Sequence, residues 1–195
     1  MKRTLLLAAL VLLTLSVAAQ AATYAIDKTH SAVTFKVKHM MVSNIRGAFT
    51  DFEGSFSFDP DAPEQASVKV EIQVASVNTN NEGRDEHLLG DEFFDVANHP
   101  LMRFESTKLV RTDDDEFSLH GNLTLHGVTK PVELEVEYIG TVVDPWGNTR
   151  SGFEAEGEIN RKDFGIEFSD TLDGGGLVVG DKVKIELEIE GILQK

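Results

Sequence analysis

The chain has 195 residues, no cysteine, and 33 acidic side chains against 18 Lys and Arg, for a formal charge of −15. So acidic a protein repels the phosphate backbone, which excludes nucleic acid as a partner. Without cysteine there is no disulfide frame and no thiol nucleophile, so the core alone must hold the fold together.

Met1-Lys2-Arg3 precedes an apolar run from Leu5 to Val17, and Ala19-Gln20-Ala21 follows. A basic start, a short apolar segment and a small-x-small site predict a cleavable signal peptide over residues 1–21. The run falls short of the roughly 20 residues that span a bilayer as a helix, so no stable membrane insertion is expected. Cleavage removes two cations, Lys2 and Arg3, and takes the formal charge from −15 to −17. The expected destination is the periplasm, with residues 22–195 forming one domain.

Val33, Phe35 and Val37 alternate with Thr34, Lys36 and Lys38, the period of a strand with one dry face. Asn44-Ile45-Arg46-Gly47 reads as the turn that follows. Phe52, Gly54, Phe56 and Phe58 share a phase, and their offset from Phe49 predicts a bulge. After a turn at Asp59–Pro63, the residues Val68, Val70, Ile72 and Val74 alternate with polar neighbours. The pattern stops between Asn78 and Pro100. There an asparagine cap, acids and a stop at Gly90 predict a short helix over Arg84–Leu89. The adjacent Phe93 and Phe94 suit a lid over one end of the sheet.

Alternation returns at Met102–Leu109. It is clearest from Glu116 to Tyr138, where Phe117, Leu119, Gly121, Leu123 and Leu125 are answered by Val132, Leu134, Val136 and Tyr138. Gly127–Pro131 reads as the turn between them. A further turn at Asp144–Asn148 leads to Phe153, Ala155, Gly157 and Ile159. Asn160–Gly176 is irregular and ends in Gly174-Gly175-Gly176, which is expected to be a flexible turn. Val183 to Gly191 forms the last alternating run.

About eight strands joined by short turns define an all-β chain. An antiparallel β-barrel of about eight strands with a short helical insertion is expected, since closure removes exposed edges. A two-sheet sandwich fits the same alternation. So does either a filled core or a cavity, and the inward Gly54, Gly121, Gly157 and Gly191 favour space inside. The expected apolar lining is Phe35, Phe52, Phe56, Ile72, Phe93, Phe94, Leu123, Leu134 and Phe153. No inward strand position is reliably charged, so the ligand that suits such a cavity is long and apolar.

Catalytic chemistry finds no footing, and no cofactor is expected. There is no Gly-x-Ser-x-Gly, and the carboxylates lie on wet strand faces. His120 and His126 share one outward phase but stand about 20 Å apart on a regular strand, too far to share a metal. His30, His39, His87 and His99 complete no ligand spacing either. Arg46, Arg84 and His87 sit near turns or in the helical insertion, where a polar headgroup would need donors. The simpler expectation is that Arg84 pairs with a nearby carboxylate and locks the lid.

The segments DKTHSAVTFKVKHMMVSNIRGAF, GRDEHLLGDEFFDVANHPLMRFES and LHGNLTLHGVTKPVEL together resemble the YceI-like family, across the chain from Tyr24 to its end. The resemblance implies a lipocalin-like, periplasmic barrel that binds a polyisoprenoid lipid, either an isoprenoid quinone or a polyprenyl phosphate type. It implies no catalytic motif, and it allows a homodimer. The other function open at this point is a secreted stress-protective structural protein whose cavity is incidental.

Overall fold

A computed structural model describes residues 22–171 and 175–195 of the protein; the expected signal segment and Gly174 lie outside the described residues. Two short strands, β1 (Ala22–Ile26) and β2 (Ala32–His39), lie end to end along β11 (Val179–Leu193). Ile26 stands opposite Gly191, and Ala32 opposite Glu188. β3 (Ser43–Phe49) and β4 (Phe52–Phe58) make a second broken strand that pairs with β2 and β1 in turn. β5 (Ser67–Gln73) continues on β4, and the two-residue β6 (Val77–Asn78) on β3. β7 (Leu101–Arg111) pairs with β5. β8 (Glu116–Leu125), β9 (Val128–Val143) and β10 (Thr149–Asn160) then run hairpin by hairpin back to β11.

The eleven strands therefore act as eight staves, and β1 closes the sheet by pairing with both β4 and β11. The architecture is the expected closed antiparallel barrel and not a sandwich. Each break falls where the phase of the sequence slips. Thr50 and Asp51 leave the ladder between β3 and β4, and their backbone bonds go to Ser76 and Gln73.

Two turns are not where turn residues first point. The β2–β3 hairpin turns at Met40-Met41, whose φ angles are 48° and 61°, closed by the Val42 amide donating to the His39 carbonyl at 3.1 Å. Asn44–Gly47 continue β3 instead. Gly47 serves packing there, because the Phe35 ring fills the place of its missing Cβ. The β8–β9 hairpin turns at His126 and Gly127, with φ 52° and 73°. Pro131 lies inside β9 opposite Asn122, ahead of the Glu135–Val143 stretch that pairs with β10. A residue with no N–H is tolerated where one edge of the strand is unpaired.

The helix α1 (Glu82–Leu89) begins on Asn81, whose side chain accepts from the Arg84 amide at 2.9 Å, and ends at Gly90. The barrel interior splits into two ends. At one, Tyr24, Phe56, Phe58, Phe117, Tyr138 and Phe153 pack ring to ring with centroids 5.0–5.7 Å apart. At the other, Phe93 and Phe94, just beyond α1, fold over the opening as a lid.

Candidate binding cavity

A cavity of about 250 Å³ runs along the barrel axis. It extends from Phe58, Val136 and Ile189 at the filled end to Leu88, Phe93 and Phe94 under the lid. Among the described residues, Thr34, Ser57 and Arg161 are the polar ones at its wall. Thr34 Oγ1 donates to the Glu186 carbonyl at 2.7 Å, and Ser57 Oγ bonds Ser67 Oγ at 2.8 Å. Their polar atoms are thus satisfied within the sheet. Ile185, Leu187 and Ile189 line the cavity yet are only half-buried, as expected of side chains with empty space before them.

Of the expected lining, Phe35, Phe56, Ile72, Phe93, Phe94, Leu123, Leu134 and Phe153 meet around this cavity. Phe52 does not reach it; it is 4% exposed and packs into the core at the lid end. The inward glycines do not create the space, contrary to the sequence expectation. A Cβ on Gly121 would strike the Phe104 ring, on Gly157 the Leu134 side chain, and on Gly191 the Phe56 ring. On Gly54 it would meet the Lys69 carbonyl. These glycines seat neighbouring groups, and the free volume comes from the sides that remain open between them.

The three candidate headgroup residues take different places. Arg46 is exposed on the outward phase of β3, directly opposite Lys36. Arg84 locks α1, but through Thr79 and not through a carboxylate. Its Nε donates to Thr79 Oγ1 at 2.7 Å and its Nη2 to the Thr79 carbonyl at 2.8 Å. Thr79 Oγ1 in turn donates to Asp85 at 2.5 Å, and Thr79 is 4% exposed. The carboxylate is present one step further along, with the hydroxyl between the two charges. His87 bonds Glu92 at 3.0 Å and sets its ring edge against Phe93 and Phe168.

Sequence reasoning missed the segment that crosses the lid end after β10. Arg161 sits in a short 3₁₀ turn, Arg161–Phe164, and is 4% exposed. Its guanidinium donates to the carbonyls of Ile166 at 2.7 Å and Gly180 at 3.0 Å, and to Asp181 Oδ1 at 3.0 Å. Burial pushes this guanidinium below its ordinary pKa, and Asp181 opposes the shift. Arg161 therefore clasps the returning chain, while Phe164, Ile166 and Phe168 add to the core beneath the lid. Asn160 capping the turn and Gly165 ending it at φ 79° were readable signals.

The fold also gathers Asp95, His99 and His126, whose ligand atoms all lie within 4.8 Å of one another. Both Asp95 oxygens accept from Asn98 Nδ2, and His126 Nδ1 lies 3.2 Å from the Phe164 carbonyl. The His99 and His126 rings meet edge to face at 4.8 Å. The group joins the lid segment to the β8–β9 turn. Spacing along the chain gives no hint of it, because Asp95 and His99 precede β7 while His126 lies in the β8–β9 turn.

A closed antiparallel barrel with an apolar lumen and a lid at one end defines a lipocalin-like β-barrel protein. The chain belongs to the YceI-like domain family, whose model matches residues 24–191. It is 44% identical to a UPF0312 protein of Pectobacterium atrosepticum over the whole of both chains. It is 45% identical to Protein YceI of Salmonella newport, covering 91% of this chain and 90% of that one. Among solved structures, the Campylobacter jejuni YCEI protein superposes with a TM-score of 0.70 at 33% identity, covering 81% and 90%. A polyisoprenoid binding domain from Saccharophagus degradans shares the fold, with a TM-score of 0.65 at 17% identity over 89% and 99%.

Proposed function

We propose that the protein is an exported, periplasmic carrier that holds one long-chain polyisoprenoid lipid with its tail in the barrel. The observation that carries this reading is the cavity wall, apolar from the ring cluster to the lid. Each buried methylene contributes about 0.8 kcal/mol, so a chain shedding water along its length binds tightly without polar contacts. At about 250 Å³ the cavity is below the roughly 300–1,000 Å³ of common ligand pockets, which favours a narrow chain over a broad ring system. The polyisoprenoid binding domain of Saccharophagus degradans, alike in fold, supports the choice of lipid class.

The ring cluster blocks one end, so the headgroup stays at the lid. Arg84 and Arg161 are both committed to protein acceptors there. Affinity therefore resides in the tail, and quinone and polyprenyl phosphate headgroups are both accepted. The role is binding and delivery, with no chemical step.

Uptake of a polyprenyl phosphate and of an isoprenoid quinone by the delipidated mature protein tests this. Ile185→Trp, placed where the wall has free space, is expected to abolish uptake of both while the protein still melts cooperatively. Unchanged uptake by that variant would contradict the cavity as the binding site.

A further inference from the structure

The β2–β3 hairpin combines three features, of which the exposed apolar tip is shared with the β9–β10 hairpin, where Val142, Val143 and Trp146 are 64%, 68% and 81% exposed. Its turn places Met40 and Met41 at positive φ, a conformation that hairpins ordinarily fill with Asn-Gly because other side chains are strained there. Its tip exposes apolar side chains, with Met41 58% and Val42 85% exposed. Its charge is inverted: residues 32–50 hold no acid but contain Lys36, Lys38 and Arg46, in a chain of charge −15.

The cations are also crowded. Arg46 and Lys184 flank Lys36 on adjacent strands, and like charges directly opposite one another destabilise a sheet. Glu186 and Glu156 satisfy Lys36 and Lys184. Lys38 and Arg46 have no ion-pair partner among the described residues. Both are exposed. The hairpin stands at the lid end, where His39 pairs with Val179 of the cavity wall.

We propose that this tip docks the protein on an anionic lipid bilayer, an inference that rests on the carrier reading above. Met40, Met41 and Val42 enter the interface, where unbranched, adaptable methionine side chains pack among acyl chains. Lys38 and Arg46 meet the anionic headgroups beside them. The acidic remainder of the surface is repelled, so the lid end is the one turned to the membrane. A lipid tail then passes between bilayer and barrel without crossing water.

Flotation of the tag-free mature protein with phosphatidylglycerol vesicles, against phosphatidylcholine vesicles, tests the proposal. The wild type is expected to float with the anionic vesicles and to be released by high salt. Met40→Asn combined with Met41→Gly gives the turn the residues its backbone favours, so the variant is expected to melt no lower than wild type. Its binding to anionic vesicles should fall by at least about tenfold. Lys38→Glu with Arg46→Glu should produce a similar loss. Equal flotation of wild type and turn variant, or no flotation of wild type, would overturn the proposal. So would a wild-type dimer in sedimentation that the turn variant converts to monomer, which would make the tip a self-interface. Lipid content by mass spectrometry separates the two readings. Vesicle binding without bound lipid would leave docking standing and sink the carrier, whereas bound lipid without vesicle binding would do the reverse.

Discussion

The Phe104 ring occupies the position a side chain on Gly121 would need: a Cβ there would lie 2.5 Å from Phe104 Cε2 and 2.8 Å from the Glu105 carbonyl. The ring lies on the bare backbone and is held by it, so the glycine belongs to the packing of the wall. Gly121→Ala is expected to destabilise the barrel by about 1–3 kcal/mol through overpacking. A urea midpoint equal to that of wild type would show the ring to be free to move aside.

Thr79 joins the lid helix to the barrel: its carbonyl accepts from Arg84, its amide donates to Asp85, and its hydroxyl makes two more bonds, accepting from Arg84 and donating to Asp85. Thr79→Val keeps the shape and removes the two hydroxyl bonds. Loss of these part-buried, charge-assisted bonds should cost about 1.5–3 kcal/mol each in local stability, reduced where water reaches the freed groups. Hydrogen exchange is expected to quicken across Glu82–Leu89 while the barrel strands keep their protection. Equal protection of the helix in both proteins would contradict this role.

Arg150 gathers acids from three segments at the filled end. Its Nε donates to Asp144 at 2.7 Å, its Nη1 donates to Asp27 at 2.9 Å, and Glu190 shares that nitrogen. Arg150 is the main reason the Asp144 carboxyl lies well below its usual range. Asp27 is lowered by the Thr29 hydroxyl first and then by His30; burial opposes them, and Arg150 lowers it by less than burial raises it. Carboxyls with depressed folded pKa values stabilise the fold above their ordinary value of about 3.9, and that contribution is lost as pH falls below it. Thermal melts should therefore hold steady from about pH 7 to about pH 5 and fall steeply below about pH 4. Arg150→Gln should lower the melting temperature at neutral pH and make the acid fall shallower. A parallel curve for the variant would show that Arg150 does not set these carboxyls.

The proposed export rests on the signal-like pattern of residues 1–21. The native protein is expected to begin at Ala22, and N-terminal sequencing of the soluble fraction reads this directly. A chain retained in the membrane with Met1 intact would contradict it.

The barrel was legible because its strands alternate so regularly that phase alone assigns inside and outside; eight of the nine expected lining residues reach the cavity. Phe52 shares that phase but, as the first residue of β4 beside the β3–β4 break, it packs into the buried cluster that also holds Phe49 and Val74. Turn placement failed at Met40-Met41 for a chemical reason: residues that usually avoid positive φ occupy it, while Asn44 and Gly47 continue a strand. The glycines misled in the opposite direction, since a missing side chain signals space in the sequence but seats a neighbour's ring in the fold. Arg161 and the Asp95, His99 and His126 group depend on contacts between distant loops, which no local period records.

Native mass spectrometry of the protein purified from its own cells reads directly whether the barrel carries a polyisoprenoid lipid. Extraction of the same sample identifies what is bound. One lipid per barrel, of isoprenoid mass, is expected, and it is lost in Ile185→Trp. A barrel that arrives empty and takes up neither quinone nor polyprenyl phosphate would contradict the carrier reading.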